Sequence, residues 1–92
     1  MSEATRGVHL ATLAHEGRIW DAYLEFDDEA SLRDFRARVR FSSPEADRFY
    51  RTTVIIIEPS YEEAVHHARG LEERQLQALL RSVLPEEEEA PQ

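Results

Sequence analysis

Four side chains in the C-terminal third have the spacing of a metal site. Glu62 and His66, and Glu63 and His67, each stand four residues apart. On a helix that spacing puts a carboxylate and an imidazole on one face, where they can share a divalent ion. No third or fourth ligand is supplied nearby in the sequence. The chain also has no cysteine, which excludes disulfides, thiolate chemistry and Cys-based zinc sites. The favoured reading is exposed histidines in helical ion pairs, and no cofactor is expected.

A second constellation is the stripe Arg36, Arg38 and Arg40. Guanidinium groups two residues apart in a strand project from one face and could grip a carboxylate, a phosphate or a nucleic-acid backbone. The acids Asp21 and Glu25 alternate in the same way on the preceding segment, so pairing across strands is the simpler account. His9 beside Tyr23 would make a small polar–aromatic spot on the same face. Nothing else suggests catalysis. Ser60 reads as a helix cap, Ser42 and Ser43 as turn residues, and Ser82 as a late helix position. Gly7, Gly17 and Gly70 are isolated, so there is no phosphate loop, and no carboxylate sits in an apolar setting that would tune it for acid–base work. A non-enzymatic protein is expected.

Charge narrows the partners. The 92 residues carry 19 acids and 11 bases, a net −8, and every base is arginine. Glu86 to Glu89 account for half of that excess, which leaves residues 1–85 at a net −4. Lysine-free, acidic composition follows from GC-rich codons or from adaptation to high salt, and it argues against binding nucleic acid through phosphates. The longest apolar run, Val54 to Ile57, cannot cross a membrane, and Met1 to Arg18 lacks the apolar core of a signal peptide. A cytoplasmic protein is expected, with one domain over residues 1–85 and a solvated acidic tail over 86–92.

The elements that must position these groups are strands first and helix last. Val8 to Ala14 and Arg18 to Phe26 read as strands joined by a three-residue loop, His15-Glu16-Gly17. That loop pairs Ala14 with Arg18, Thr12 with Trp20, Leu10 with Ala22 and Val8 with Leu24, and leaves Leu13 beside Ile19 and His9 beside Tyr23 on the opposite face. Asp34 to Phe41 alternates without a break and reads as a third strand, with a helix through Leu32, Phe35 and Val39 as the alternative. Folding it back about the turn at Asp27–Ser31 pairs Phe26 with Phe35, Leu24 with Ala37, Ala22 with Val39 and Trp20 with Phe41. The outer face then has Glu25 opposite Arg36, Tyr23 opposite Arg38 and Asp21 opposite Arg40.

Loop is expected from Ser42 to about Phe49. Arg51 to Glu58 (RTTVIIIE) is the most β-prone segment, and its four consecutive branched residues suggest a strand buried on both faces. Ser60 with Glu63 forms a capping box for a helix to about Arg69, which either ends at Gly70 or continues to Leu84 before Pro85.

The fold expected is α+β: an antiparallel sheet of about four strands in β-β-β-β-α order, with the C-terminal helical segment, continuous or broken at Gly70, on one face. Once that face is covered, Leu13, Ile19, Tyr23, Val54 and Ile56 are left over on the other. Uncovered apolar residues of this kind mark an interface. The function expected is a small protein-interaction domain, self-associating or docking a protein partner. A ligand- or metal-binding regulatory module around His66 and His67 is the alternative.

Overall fold

The computed structural model describes residues 7–27, 34–45 and 47–85. Most of the turn expected at Asp27–Ser31, and the acidic tail 86–92, lie outside them. The chain forms an antiparallel sheet followed by two helices. The strands are β1 (Val8–His15), β2 (Arg18–Phe26), β3 (Phe35–Ser43), β4 (Arg48–Arg51) and β5 (Ile56–Glu58), and the helices are α1 (Tyr61–Arg69) and α2 (Glu73–Val83). The sheet runs β1-β2-β3-β4, and β5 pairs with the other half of the same edge of β3. No helix among the described residues is long and apolar enough to cross a membrane.

The third segment is strand from Phe35 to Ser43, as the alternation over Asp34 to Phe41 requires. Ala37, Val39 and Phe41 are buried, and Arg36, Arg38 and Arg40 face away from the core. The expected pairing with β2 is displaced by two residues, however. Phe26 stands opposite Ala37, Leu24 opposite Val39, Ala22 opposite Phe41, Glu25 opposite Arg38 and Tyr23 opposite Arg40. A two-residue slip preserves every side chain's face, because the pleat repeats every two residues. Alternation therefore could not detect the displacement.

The first hairpin differs in a more consequential way. It closes through the two residues Glu16 and Gly17, both at positive φ (54° and 79°), with His15 paired to Arg18. This is the turn whose twist matches that of the flanking strands, and it shifts the register by one. Leu13 consequently pairs with Trp20 and enters the core at 1 % exposure, while Ala14 takes the place beside Ile19. A bulge between His9 and Ala11 inserts one residue, which restores the expected pairs His9–Tyr23 and Val8–Leu24.

RTTVIIIE is not a doubly buried strand. It begins at the end of β4, follows the edge of β3 and breaks in the middle. Thr52 N–H donates to Val39 O at 3.0 Å, while Thr52 Oγ1 accepts from Val39 N–H at 3.2 Å and donates to Thr53 O at 2.6 Å. The hydroxyl thus takes the position of a ladder carbonyl, and regular pairing resumes only at β5, after Ile55 N–H donates to Ala37 O. Of the four branched residues only Ile56 is buried, whereas Ile55 and Ile57 are exposed.

The helical segment breaks at Gly70. Ser60 caps α1, with Glu63 N–H donating to Ser60 Oγ at 3.1 Å. Gly70 keeps an ordinary right-handed conformation (φ −85°), so the left-handed freedom of glycine is not what ends α1. A new start sits just beyond it, where Glu72 N–H donates to Gln75 Oε1 at 2.7 Å. Packing explains the break. Two apolar clusters lie on the inner face of the sheet. Ala64 and Ala68 of α1 cover Leu24, Ala37 and Ile56, while Leu76 and Leu80 of α2 cover Leu13, Trp20, Ala22, Val39 and Phe41. A single straight helix over 61–83 would be about 35 Å long and could not turn to follow both.

Candidate functional site

Because both helices pack on the inner face, the outer face has no covering element among the described residues. Its side chains stand in rows across the strands. One row is Thr12, Asp21, Ser42 and Phe49, and the next is His9, Tyr23, Arg40 and Arg51.

This is not the apolar surface that the sequence suggested. Of the five residues expected there, Leu13 and Ile56 are each 1 % exposed in the core, Leu13 because of the two-residue turn and Ile56 because β5 presents it inward. Val54 is half-buried in the irregular stretch between β4 and β5. Ile19 and Tyr23 do lie on the outer face, but the row containing Asp21 separates them.

The acids of the face are engaged. Asp21 Oδ1 accepts from Thr12 Oγ1 at 2.9 Å and lies 3.1 Å from His9 Nε2. Glu25 Oε1 is 3.7 Å from Arg38 and 3.3 Å from Arg51, and Arg38 also reaches Asp27 at 3.5 Å. Arg36 lies 3.5 Å from Asp34. These ion pairs are loose, since neither Glu25 Oε1 nor Asp34 Oδ1 accepts a hydrogen bond among the described residues.

Arg40 differs from its neighbours. The expected partner, Asp21, is committed to Thr12 and His9. The Arg40 guanidinium lies instead over two rings, 5.9 Å from the centroid of Tyr23 and 5.0 Å from that of Phe49. Its Nε is buried, and no atom among the described residues hydrogen-bonds to it. Arg51 approaches Phe49 from its own position at 5.4 Å, and His9 meets Tyr23 edge-on at 5.2 Å. Aromatic faces hold a guanidinium by its plane and leave its edge donors available. Arg40 is thus a half-buried cation held against two rings, with no acid in ion-pair contact among the described residues.

Sequence reasoning identified Arg40, Tyr23 and His9 but missed Phe49 and Arg51, which fall where loop was expected or where a strand was only beginning. The available signal was Ser43-Pro44-Glu45-Ala46-Asp47, a compact turn sequence between two β-prone runs. Asp47 N–H donates to Ser43 O at 2.9 Å, and Asp47 adopts positive φ (56°).

The proposed metal ligands are not brought together. Glu62, Glu63, His66 and His67 are exposed on α1, and His67 Nδ1 lies 2.8 Å from Glu58 Oε2, at the end of β5. Among the described residues no group of three or more His, Asp or Glu side chains could hold a metal ion. No protein-family model, curated protein or solved structure matches this chain.

Proposed function

We propose that this chain is a small, non-enzymatic protein-interaction domain whose outer sheet face binds an acidic segment of a protein partner. Arg40 carries this reading: it is a cation positioned by Tyr23 and Phe49, half-buried, with no acid partner among the described residues. A carboxylate approaching from solvent would complete it with charge-assisted hydrogen bonds. The rings and Ile19 would supply contact area around it, in the pattern of aromatic and arginine anchors at interfaces. Nucleic acid fits poorly, because Asp21, Glu25, Asp27 and Asp34 line the same region and the whole chain is at −8. A second copy also fits less well, because the exposed Ile19, Phe49 and Ile57 form no continuous apolar patch.

A capped tetraglutamate peptide titrated into the ¹⁵N-labelled protein tests this. The expected result is saturable shifts at the amides of Tyr23, Arg40, Phe49 and Arg51, lost in Arg40→Met, with the protein remaining monomeric by sedimentation. Shifts that survive Arg40→Met, or an absence of shifts on this face, would overturn the proposal. So would saturable binding of a single-stranded oligonucleotide on these residues in preference to the peptide.

A further inference from the structure

The sheet has two edges, and they are finished differently. At β1 the hairpin pairs His15 with Arg18, so Thr12 and Ala14 turn their N–H and C=O groups outward, because hydrogen bonding alternates along an antiparallel pair. That edge is guarded. Gln77 Nε2 of α2 donates to Ala14 O at 3.2 Å, and the bulge between His9 and Ala11 breaks the line of the strand, a device that blocks pairing with a further chain. At β4 the alternation is fixed by Thr52, whose N–H donates to Val39 O at 3.0 Å. Tyr50 and Arg48 therefore also turn their backbone groups to β3, opposite Phe41 and Ser43, and Phe49 and Arg51 present theirs to the free side. β4 pairs with β3 alone, and among the described residues no other group bonds to the backbone of Phe49 or Arg51.

We propose that the acidic segment bound by the outer face docks in extended form, as an added antiparallel strand on the free edge of β4. This rests on the reading of Arg40 given above and specifies how the partner meets it. The same two residues join both parts of the surface. Phe49 and Arg51 offer the edge their backbone groups and carry their side chains on the outer face, in the rows of Ser42 and Arg40. The Arg40 guanidinium lies nearer the ring of the edge strand, 5.0 Å from the centroid of Phe49 against 5.9 Å from that of Tyr23. In an antiparallel pair, directly opposed residues share a face. Partner residues hydrogen-bonded to Phe49 and Arg51 would therefore point their side chains at the outer face, where acids meet Arg51 and Arg40.

Charge selects the occupant. Arg51 shares Glu25 with Arg38, and Arg40 has no acid partner among the described residues. The end of these rows nearest the edge is thus short of acid. A second copy of β4 would set another Arg40 and Arg51 against the first, whereas an acidic strand brings the opposite sign. A helical partner would present acids to Arg40 but leave the edge groups of Phe49 and Arg51 unpaired. β4 is only 4 residues long, so the partner needs alternate acids over a short stretch and not a long strand.

A capped hexapeptide of alternating Glu and Thr is titrated into the ¹⁵N-labelled full chain, beside the capped tetraglutamate. Two further hexapeptides are N-methylated, one at every Glu and the other at every Thr. In antiparallel addition the Glu N–H groups point at β4 and the Thr N–H groups at solvent. Methylation at Glu should weaken binding roughly tenfold or more, while methylation at Thr should leave it nearly unchanged. With the unmethylated hexapeptide at saturation, the Phe49 and Arg51 amides should exchange with deuterium roughly tenfold more slowly. Equal binding by all three hexapeptides, loss of binding on Thr methylation, or unchanged exchange at Phe49 and Arg51 would overturn the added strand. So would protection of the same amides in a dimer that forms without peptide. Tetraglutamate binding that Arg40→Met removes, without the methylation pattern, overturns the edge strand alone. Silence from both tetraglutamate and the hexapeptide overturns the reading of Arg40 as well.

Discussion

The two faces of the sheet are made by the same strands and obey different physics. On the inner face Phe41, Leu24, Val39 and Ala37 are fully buried against two helices. Shape matters there, because an interior is packed to crystal-like density and each methylene is felt. One residue away along the same strands, Arg40, Glu25 and Arg38 form an open lattice of charges and rings. Individual contacts on that face are worth little, since exposed ion pairs contribute about 0–1 kcal/mol and an exposed cation–π contact about 0.5–1 kcal/mol. Stability is therefore concentrated on one face, while the other is free to be chemically specific. Such a division lets the outer face change its side chains without unfolding the sheet, which the proposed binding role would require.

The contrast can be broken most directly at the hairpin. Leu13→Asp should destabilise the protein by several kcal/mol, because it places a charge in the α2 cluster. Ile19→Asp, on the exposed face, should change stability by less than about 1 kcal/mol. Urea melts of the two variants measure the difference. Equal effects would mean that the hairpin closes through a longer loop and that the faces near it are exchanged.

A smaller effect tests the lattice. Glu25→Arg should cost about 0.5–1 kcal/mol by placing three guanidiniums together. Adding Arg38→Glu should recover most of that loss, whereas adding Arg36→Glu should not, and a double-mutant cycle reads the coupling. Rescue by Arg36→Glu would restore the register that alternation alone suggested.

The smallest expected change is at Ser43, among the described residues the one buried polar side chain on the inner face and one whose Oγ has no hydrogen-bond partner there. Ser43→Ala should leave stability unchanged or raise it by up to about 1 kcal/mol, because it removes an unsatisfied hydroxyl from the interior. A loss of stability in the thermal melt would show that the hydroxyl is satisfied after all and that the inner face is less strictly apolar than it looks.

Much of this molecule was legible in its residues, for a reason that also explains what was not. Period-two alternation assigns Trp20, Ala22, Leu24, Ala37, Val39 and Phe41 to one face and the arginine stripe to the other, and the structure agrees at each position. Ser60 and Glu63 likewise predicted the start of α1. Alternation is blind to displacements by two residues, so it could not distinguish Arg36 from Arg38 as the partner of Glu25. It is also hostage to turns. Glu16 at positive φ is an uncommon choice for a two-residue hairpin, and that choice, with the compensating bulge after His9, decided the face of Leu13. The candidate site suffered most from this blindness. Alternation sets His9 beside Tyr23, as the structure has it, but gives Tyr23 and Arg40 cross-strand partners two residues away from the observed ones.

Local patterns thus sufficed for strand, helix and cap, because propensity and periodicity act within a few residues. Whether RTTVIIIE lies at the centre or the edge of the sheet, where the helix breaks, and which arginine of the stripe has no acid partner among the described residues are not local properties. The first depends on Thr52 replacing a ladder carbonyl opposite Val39, the second on two clusters that one straight helix could not cover together. The third depends on the register, which sets Arg40 opposite Tyr23 and Asp21 opposite Ser42, where Asp21 engages Thr12 and His9. Each was settled by competition among groups far apart in the chain, and that competition exists only once the sheet has formed.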